Sequence, residues 1–151
     1  MSTPSMAGFP RPATAELFSQ RVLEVDEERG WIRVRFEATE AFLNPAGTVQ
    51  GGILVAMLDD TMGPALWFMN GGRTYSTTID LSASFLCAAQ PGLLYGEGRV
   101  VQRGKIIAFL EAQLSDPAGR IVARATASAR VLSGTTAPTA STHPASRTAA
   151  A

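Results

Sequence analysis

The chain has 151 residues, enough for one domain, and its hydrophobic content of 46% can fill a core without disulfides or metal. Its 13 basic and 13 acidic side chains cancel and form no block of like charge, which argues against a nucleic-acid partner. The single cysteine, Cys87, excludes an internal disulfide and a multi-cysteine metal site, in keeping with a reducing cytoplasm.

The first elements are expected to be a flexible arm and a hairpin. Residues 1–16 contain prolines and no apolar run of signal-peptide length, so a cytoplasmic location is expected. Apolar and polar residues alternate through 18–26 and 31–36 around a turn at 28–30, which predicts two paired strands. A turn-rich stretch, 42–50, follows.

The apolar segment 51–69 predicts a long buried helix. Its length approaches that of a membrane span, but Asp59 and Asp60 lie in its middle. Each carboxylate would cost about 2.5 kcal/mol or more near the centre of a bilayer. A helix inside a soluble domain is therefore expected, with no membrane partner.

Four more strands are predicted after this helix, separated by turns rich in Gly and Pro. They are expected near residues 74–86, 93–102, 105–115 and 120–132. A helix that is apolar almost all round must be wrapped by the antiparallel sheet, because no other element is present to cover it. The sequence therefore predicts an α+β domain over residues 17–132.

The last segment, 133–151, contains no large apolar residue and is expected to be a disordered tail. The only histidine, His143, lies in it, so no catalytic triad with histidine is expected in the domain. No glycine-rich phosphate-binding motif occurs either. The sequence thus predicts neither a bound cofactor nor a metal site.

The start of the helix is a candidate functional site. It carries Gln50, Gly51 and Gly52, and the first N–H groups of a helix have no intrahelical partner. Glycine lets a substrate carbonyl approach these N–H groups, and the helix dipole favours the negative charge that develops on attack. The alternative is that the two glycines only permit a tight entry turn.

Asp59 and Asp60 are the second candidate, because a buried carboxylate is costly without a partner or a chemical role. The alternative is a half-exposed helix face, or a cap on a neighbouring loop. Gln50 and Asp59 lie about 13.5 Å apart along the helix axis and about 180° apart around it. If they act on one carbonyl, they must come from two chains, which predicts a site at a two-fold interface.

The motif Asn44-x-x-Gly47-x-x-Gln50-Gly51-Gly52, followed by Leu58-Asp59-Asp60-Thr61-Met62-Gly63, resembles the signature of PaaI-type hotdog-fold thioesterases. That family, in the 4-hydroxybenzoyl-CoA thioesterase-like superfamily, typically has His-Gly-Gly and an acidic residue nine positions after the histidine. The resemblance continues through 102–105 and 116–123. It implies a hotdog fold and hydrolysis of acyl-CoA thioesters by a homodimer or a dimer of dimers, with coenzyme A only as part of the substrate.

The resemblance also implies roles for individual residues. Asp59 would be the catalytic carboxylate, and the Gly51 and Gly52 amides would polarise the thioester carbonyl. Asn44 would steady the loop or a water molecule. Thr78 occupies the position where related enzymes place a hydroxyl near the attacking water, and Thr77 is the alternative.

Two further implications concern the site's surroundings. Asp60 would pack or hydrogen-bond beside the site, and Gln50 replaces the family's histidine with an amide that cannot become cationic. Arg103 and Lys105 flank a hairpin turn and are the candidates for binding the coenzyme A phosphates, although other surface arginines carry the same charge.

Two other functions remain open from the sequence. A binding module that holds acyl-CoA or an acylated carrier without turnover would account for the missing histidine. A hotdog hydratase fits less well, since such enzymes pair a histidine with a carboxylate.

Overall fold

The computed structural model describes residues 11–132, which form one six-stranded sheet and one long helix. The elements are α1 (Ala13–Leu17), β1 (Arg21–Asp26), β2 (Trp31–Ala38), a 3-10 turn (Glu40–Phe42), α2 (Gly51–Met69), β3 (Ser76–Phe85), β4 (Gly92–Arg103), β5 (Ile107–Ser115) and β6 (Ile121–Val131).

The sheet is antiparallel throughout, in the order β1-β2-β4-β5-β6-β3, and α2 contacts all six strands. This confirms the predicted α+β hotdog architecture, with the sheet wrapped around the central helix. Strands β1 and β3 are the edges. Strand β3 follows α2 in the chain and pairs only with β6, so its other side is free of strand pairing.

The core lies between α2 and the concave face of the sheet. Strand β2 shows the reason, since its apolar residues alternate with polar ones and Ile32, Val34 and Phe36 are fully buried. On the helix, Met57 and Leu66 are also fully buried against the strands. The helix is therefore held by apolar contact along most of its length.

Two glycines of β4 let the helix approach the sheet closely. A Cβ at Gly96 would overlap the Thr61 hydroxyl, and one at Gly98 would lie 2.9 Å from the Thr61 methyl group. Thr61 is fully buried and donates its hydroxyl hydrogen to the Met57 carbonyl at 2.7 Å. This contact fixes the position of α2 against the centre of the sheet.

The structure agrees with the predicted helix at 51–69 and differs at the N-terminal side. Residues 13–17, which include part of the expected flexible arm, form α1, and Ala15 is buried. Phe18, expected in the first strand, instead ends α1 and packs edge-on against Phe42 with ring centroids 5.6 Å apart. The short segment has little helical signal of its own, and its helix is stabilised by docking on the domain.

The remaining boundary predictions concern the chain's ends. The expected tail at 133–151, with His143, and the first ten residues of the expected arm lie outside the described residues. Within residues 11–132, neither helix combines the length and hydrophobicity that a membrane span requires.

Candidate active site

A hydrogen bond joins α2 to the edge strand β3 at the predicted catalytic carboxylate. The Thr78 hydroxyl donates to Oδ1 of Asp59 at 2.7 Å. The second oxygen of Asp59 has no hydrogen-bond partner among residues 11–132. The structure therefore selects Thr78 over Thr77 as the neighbour of Asp59, and it leaves one carboxylate oxygen open to a ligand.

The adjacent carboxyl group of Asp60 lies in a different environment. The pKa of Asp60 is raised to about 6, chiefly because the group is buried; a hydrogen bond from Thr14 lowers the pKa, and the negative charge of Asp59 adds a smaller increase. Oδ2 of Asp60 is buried without a hydrogen-bond partner in the described part of the chain. Asp60 thus follows Asp59 on the helix, and both line the same cavity.

A proline in α2 explains why a residue outside the helix is drawn to Asp60. Pro64 has no N–H, so the Asp60 carbonyl four residues earlier loses its intrahelical donor. Gln20, which is 6% exposed, donates from Nε2 to that carbonyl at 2.7 Å. The side chain of Gln20 therefore replaces the missing helical hydrogen bond and ties the segment after α1 to α2.

A cavity of about 640 Å³ opens beside Asp59 and Thr78. One wall is the face of α2 that carries Asp59, Gly63 and Trp67, and the opposite wall is formed by residues of the sheet and of the segment before it, such as Tyr75 and Leu110. Residues 11–14, at and before the start of α1, cover one side. The cavity combines an acidic end with apolar walls, which is typical of sites for small organic ligands.

A second depression, of about 490 Å³, lies on the convex face of the sheet. It shares no lining residue with the cavity beside Asp59, and each of its charged side chains already has a polar partner, with Glu97 facing Arg33 at 3.8 Å. Arg99 binds Glu111, and Arg124 donates to Gln113 at 3.4 Å. We therefore place the candidate site in the cavity beside Asp59.

The start of α2 offers unpaired backbone donors. No described acceptor bonds the Gly51 or Gly52 amide, no side chain caps the helix, and no acidic residue lies in its first turn. A Cβ at Gly52 would meet nothing within 4 Å, whereas one at Gly51 would lie 3.1 Å from the ring of Phe85. Packing against Phe85 therefore accounts for glycine at position 51, while position 52 is open.

Gln50 and Asn44 occupy the loop before the helix. Gln50 is exposed and precedes α2, and its side chain makes no capping bond. Asn44 uses its side chain within the loop, since Oδ1 accepts from the Ala46 amide at 3.0 Å and Nδ2 donates to the Thr48 hydroxyl at 3.0 Å. Both hydrogen bonds lie within the loop that precedes α2.

The structure brings some of the expected site residues together and leaves others apart. Asp59 and Thr78 are in contact, whereas no described interaction joins Gln50 to Asp59 within the chain. Arg103 donates from Nε to the Asn70 side chain and from Nη1 to the Gly104 carbonyl at 2.9 Å. Lys105 is exposed in the hairpin turn.

Sequence reasoning missed Gln20 and the cover formed by α1. A proline inside the helical pattern indicated that a carbonyl of α2 needed another donor, but many polar side chains could have supplied it. The segment before Gln20 carries no periodicity long enough to identify a five-residue helix. The contacts of Gln20 and α1 depend on tertiary packing. Pro64 is the one sign of them in the sequence.

Comparison with known proteins shows that this chain is similar to thioesterases. The family model described as the thioesterase superfamily matches residues 46–123, which include α2 and β3 to β5. The crystal structure of a phenylacetic acid degradation-related protein from Ralstonia eutropha JMP134 is 40% identical and superposes with a TM-score of 0.75. The match covers 80% of this chain and 91% of that one.

More distant proteins are also similar to this chain. The PaaI protein from the phenylacetic acid degradation operon of E. coli is 20% identical, with a TM-score of 0.76 over 85% of this chain and 91% of its own. A protein of Saccharolobus solfataricus, named for a suspected esterase activity, is 26% identical over 112 residues. That match covers 74% of this chain and 78% of the relative.

Proposed function

The chain belongs to the thioesterase superfamily, and from this membership we propose that it hydrolyses acyl-CoA thioesters at a site built around Asp59. The observation that carries the proposal is the hydrogen bond from Thr78 to Asp59, two residues that line the same cavity. A carboxylate held by one oxygen and open at the other is suited to take a proton from a bound water molecule.

The proposed reaction uses two groups of the chain. Asp59 takes a proton from water as the water oxygen bonds to the thioester carbonyl carbon, and the amides at the start of α2 stabilise the resulting oxyanion. Collapse of this intermediate breaks the carbon–sulfur bond, and the departing thiolate takes the proton from Asp59. The products are free coenzyme A and a carboxylic acid, which releases its proton to solvent and leaves as the carboxylate. Direct attack by Asp59 is the alternative route, and it would leave an acylated Asp59 that rapid quenching and mass spectrometry detect.

We propose that each site combines groups from two chains, because the Gly51 and Gly52 amides lie about 10 to 12 Å from Asp59 along the axis of one helix, too far to act on the same carbonyl. The edge strand β3 is the surface that favours pairing. It is ten residues long and unpaired on one side, and Ile79 and Phe85 are more than half exposed, as is Leu86 directly after the strand. Such an edge pairs readily with a second chain. A homodimer, or a dimer of dimers, follows from this pairing.

The remaining parts of the proposal concern the binding of coenzyme A and the role of Gln50 at the family's histidine position. Arg103 and Lys105 stay the candidates for the coenzyme A phosphates, and Gln50 would hydrogen-bond near the carbonyl without carrying charge. The proposed location is the cytoplasm. Non-catalytic binding of acyl-CoA is the second candidate, which the exposed, uncharged Gln50 at the histidine position favours.

Release of free thiol from a panel of acyl-CoA substrates, read colorimetrically, tests the proposal. Hydrolysis should be measurable, and Asp59→Asn should lower kcat by at least about 100-fold, the low end for loss of a general base. Tight binding of acyl-CoA without thiol release would favour the binding module instead.

The neighbouring carboxylate provides the matched control. Asp60→Asn changes the same functional group one position along the helix, about 100° around its axis. It should lower kcat far less than Asp59→Asn. The opposite order would transfer the catalytic role to Asp60.

A further inference from the structure

One face of α2 runs along the cavity from Asp59 towards the end of the helix. Positions 59, 63 and 67 lie within about 80° of one another around the axis, and all three line the cavity. Leu110 and Ala129 of the sheet and Tyr75, just before β3, line it as well. The cavity is thus a groove whose apolar lining lies along the helix face beyond the proposed catalytic carboxylate, while its polar lining comes from the start of α1, from Gln20 and Asp60, and from residues 76–78.

Gly63 lies in the middle of this groove, where its small size is unexplained by packing. Glycine in a helix interior is unfavourable relative to alanine, because it is conformationally freer in the unfolded chain. A Cβ at Gly63 would meet nothing within 4 Å, in contrast to Gly96 and Gly98, which the helix touches. Gly63 therefore keeps space open in the cavity and does not relieve a contact within the chain.

We propose that the acyl chain of the substrate lies along this face of α2, from Asp59 past Gly63 to Trp67, and that Gly63 determines how long an acyl chain is accepted. The inference rests on the proposed thioester hydrolysis, since Asp59 marks the position of the carbonyl carbon. The substrate class is an apolar acyl group, aliphatic or aryl-substituted, that extends beyond the first few carbons.

The helix geometry sets the expected lengths. Gly63 lies about 6 Å and Trp67 about 12 Å from Asp59 along the axis. An extended chain advances about 1.2 Å per bond, from the spacing of extended backbone atoms. An acyl chain therefore reaches Gly63 at about five carbons and Trp67 at about ten. Butanoyl groups end before Gly63, and decanoyl groups fill the groove.

The test compares kcat/KM for butanoyl-CoA, hexanoyl-CoA and decanoyl-CoA in the full-length protein and in two variants. Gly63→Leu should lower the ratio of decanoyl to butanoyl kcat/KM by at least tenfold. Gly63→Ala adds a single carbon atom and should lower it less. An unchanged ratio in Gly63→Leu would overturn the inference while leaving thioester hydrolysis intact.

A binding measurement separates this inference from the proposed function. Trp67 is the probe, in a Trp31→Phe background that leaves it as the single tryptophan. S-decyl-CoA, a thioether without a carbonyl to attack, should change Trp67 emission, and Gly63→Leu should weaken its binding at least tenfold. If both binding results are obtained while no thioester is hydrolysed, the groove assignment stands and the hydrolase proposal falls. If S-decyl-CoA leaves Trp67 emission unchanged, the groove assignment falls.

Folding and assembly of the variant complete the test. Size-exclusion chromatography and circular dichroism should show wild-type assembly and helix content for Gly63→Leu. Loss of the oligomer would assign Gly63 to a contact between chains, and loss of the fold would contradict the open space around it. Either result would overturn the inference.

Discussion

Thr78 orients the proposed catalytic carboxylate through one hydrogen bond, and this gives it a role that is separable from folding. Thr78→Val keeps the shape of the side chain and removes the donor to Asp59. A hydrogen bond to a charged group contributes about 1.5–3 kcal/mol, so kcat should fall by about tenfold or more. Steady-state kinetics measures the change.

The matched variant for this prediction is Thr78→Ser, which retains the hydroxyl and should recover most of the activity. Both variants should unfold near the wild-type temperature, because the side chain is exposed. Equal losses in the two variants would contradict a role for the hydroxyl.

Asp60 affects stability through its raised pKa of about 6. An acid whose pKa is higher in the folded state binds protons more tightly there, so the folded state becomes less stable as pH rises from about 4 to above 6. Asp60→Asn removes this ionisation. The difference in Tm between the variant and the wild type should grow in favour of the variant across that range and stay constant above about pH 7.

Thermal unfolding at half-unit pH steps measures this difference. Asp116→Asn is a suitable comparison, since it replaces another carboxylate of the same type on the surface turn before β6. If the difference in Tm between Asp60→Asn and the wild type does not change from pH 4 to 7, the raised pKa of Asp60 is contradicted.

At the scale of the elements, Gln20 and Pro64 form a pair whose effects should depend on each other. Gln20→Met removes the donor to the Asp60 carbonyl and leaves that acceptor unpaired at a largely buried position. The cost should be about 1–3 kcal/mol of unfolding free energy. Chemical denaturation provides the measurement.

The double variant tests the cause. Pro64→Ala restores an N–H that bonds the Asp60 carbonyl within α2, so Gln20→Met should cost clearly less in that background. Additive costs would show that Gln20 acts through its packing and not through this hydrogen bond.

The elements differ in how much of them the sequence predicts. Helix α2 was predicted with its observed bounds, because a long apolar run lies between a turn-rich loop and Gly71-Gly72. The strands were predicted from alternation and turns, to within a few residues. Helix α1 was not, because its five residues are helical only while docked against the domain.

The same distinction applies to the site. Asp59 and Asp60 are candidates because a carboxylate in an apolar helix is costly without a role, and the family resemblance distinguishes Asp59 from its neighbour. Thr78 was expected only through the family resemblance, since it lies 19 positions from Asp59 and its contact depends on how β3 packs against α2. Gln20 lies 40 positions from its partner, and nothing local indicates that contact.

At the scale of the whole molecule, the site shared between two chains can be tested by complementation. Asp59→Ala and Gly52→Val should each be nearly inactive. We choose position 52 because its added side chain meets no atom of its own chain within 4 Å, unlike position 51. The two proteins are unfolded, mixed in equal amounts and refolded.

In a mixed dimer both lesions fall in one site and the other site is intact, so random pairing should restore about a quarter of wild-type activity. Mass spectrometry of differently tagged chains verifies that mixed dimers form. Mixtures that contain them but stay inactive would contradict the shared site, since a site within one chain would always carry a lesion.

The two sides of the cavity are attached to the domain very differently. The α2 side is fixed where Thr61 packs against Gly96 and Gly98, so the proposed catalytic carboxylate, Asp59, has little freedom to move. The cover is a five-residue helix held by few side chains, among them Ala15. Mutations can therefore accumulate in the cover without disturbing the chemistry. In a gene lineage, new substrate preferences would then arise first in the N-terminal segment, which is also the natural region to randomise in directed evolution.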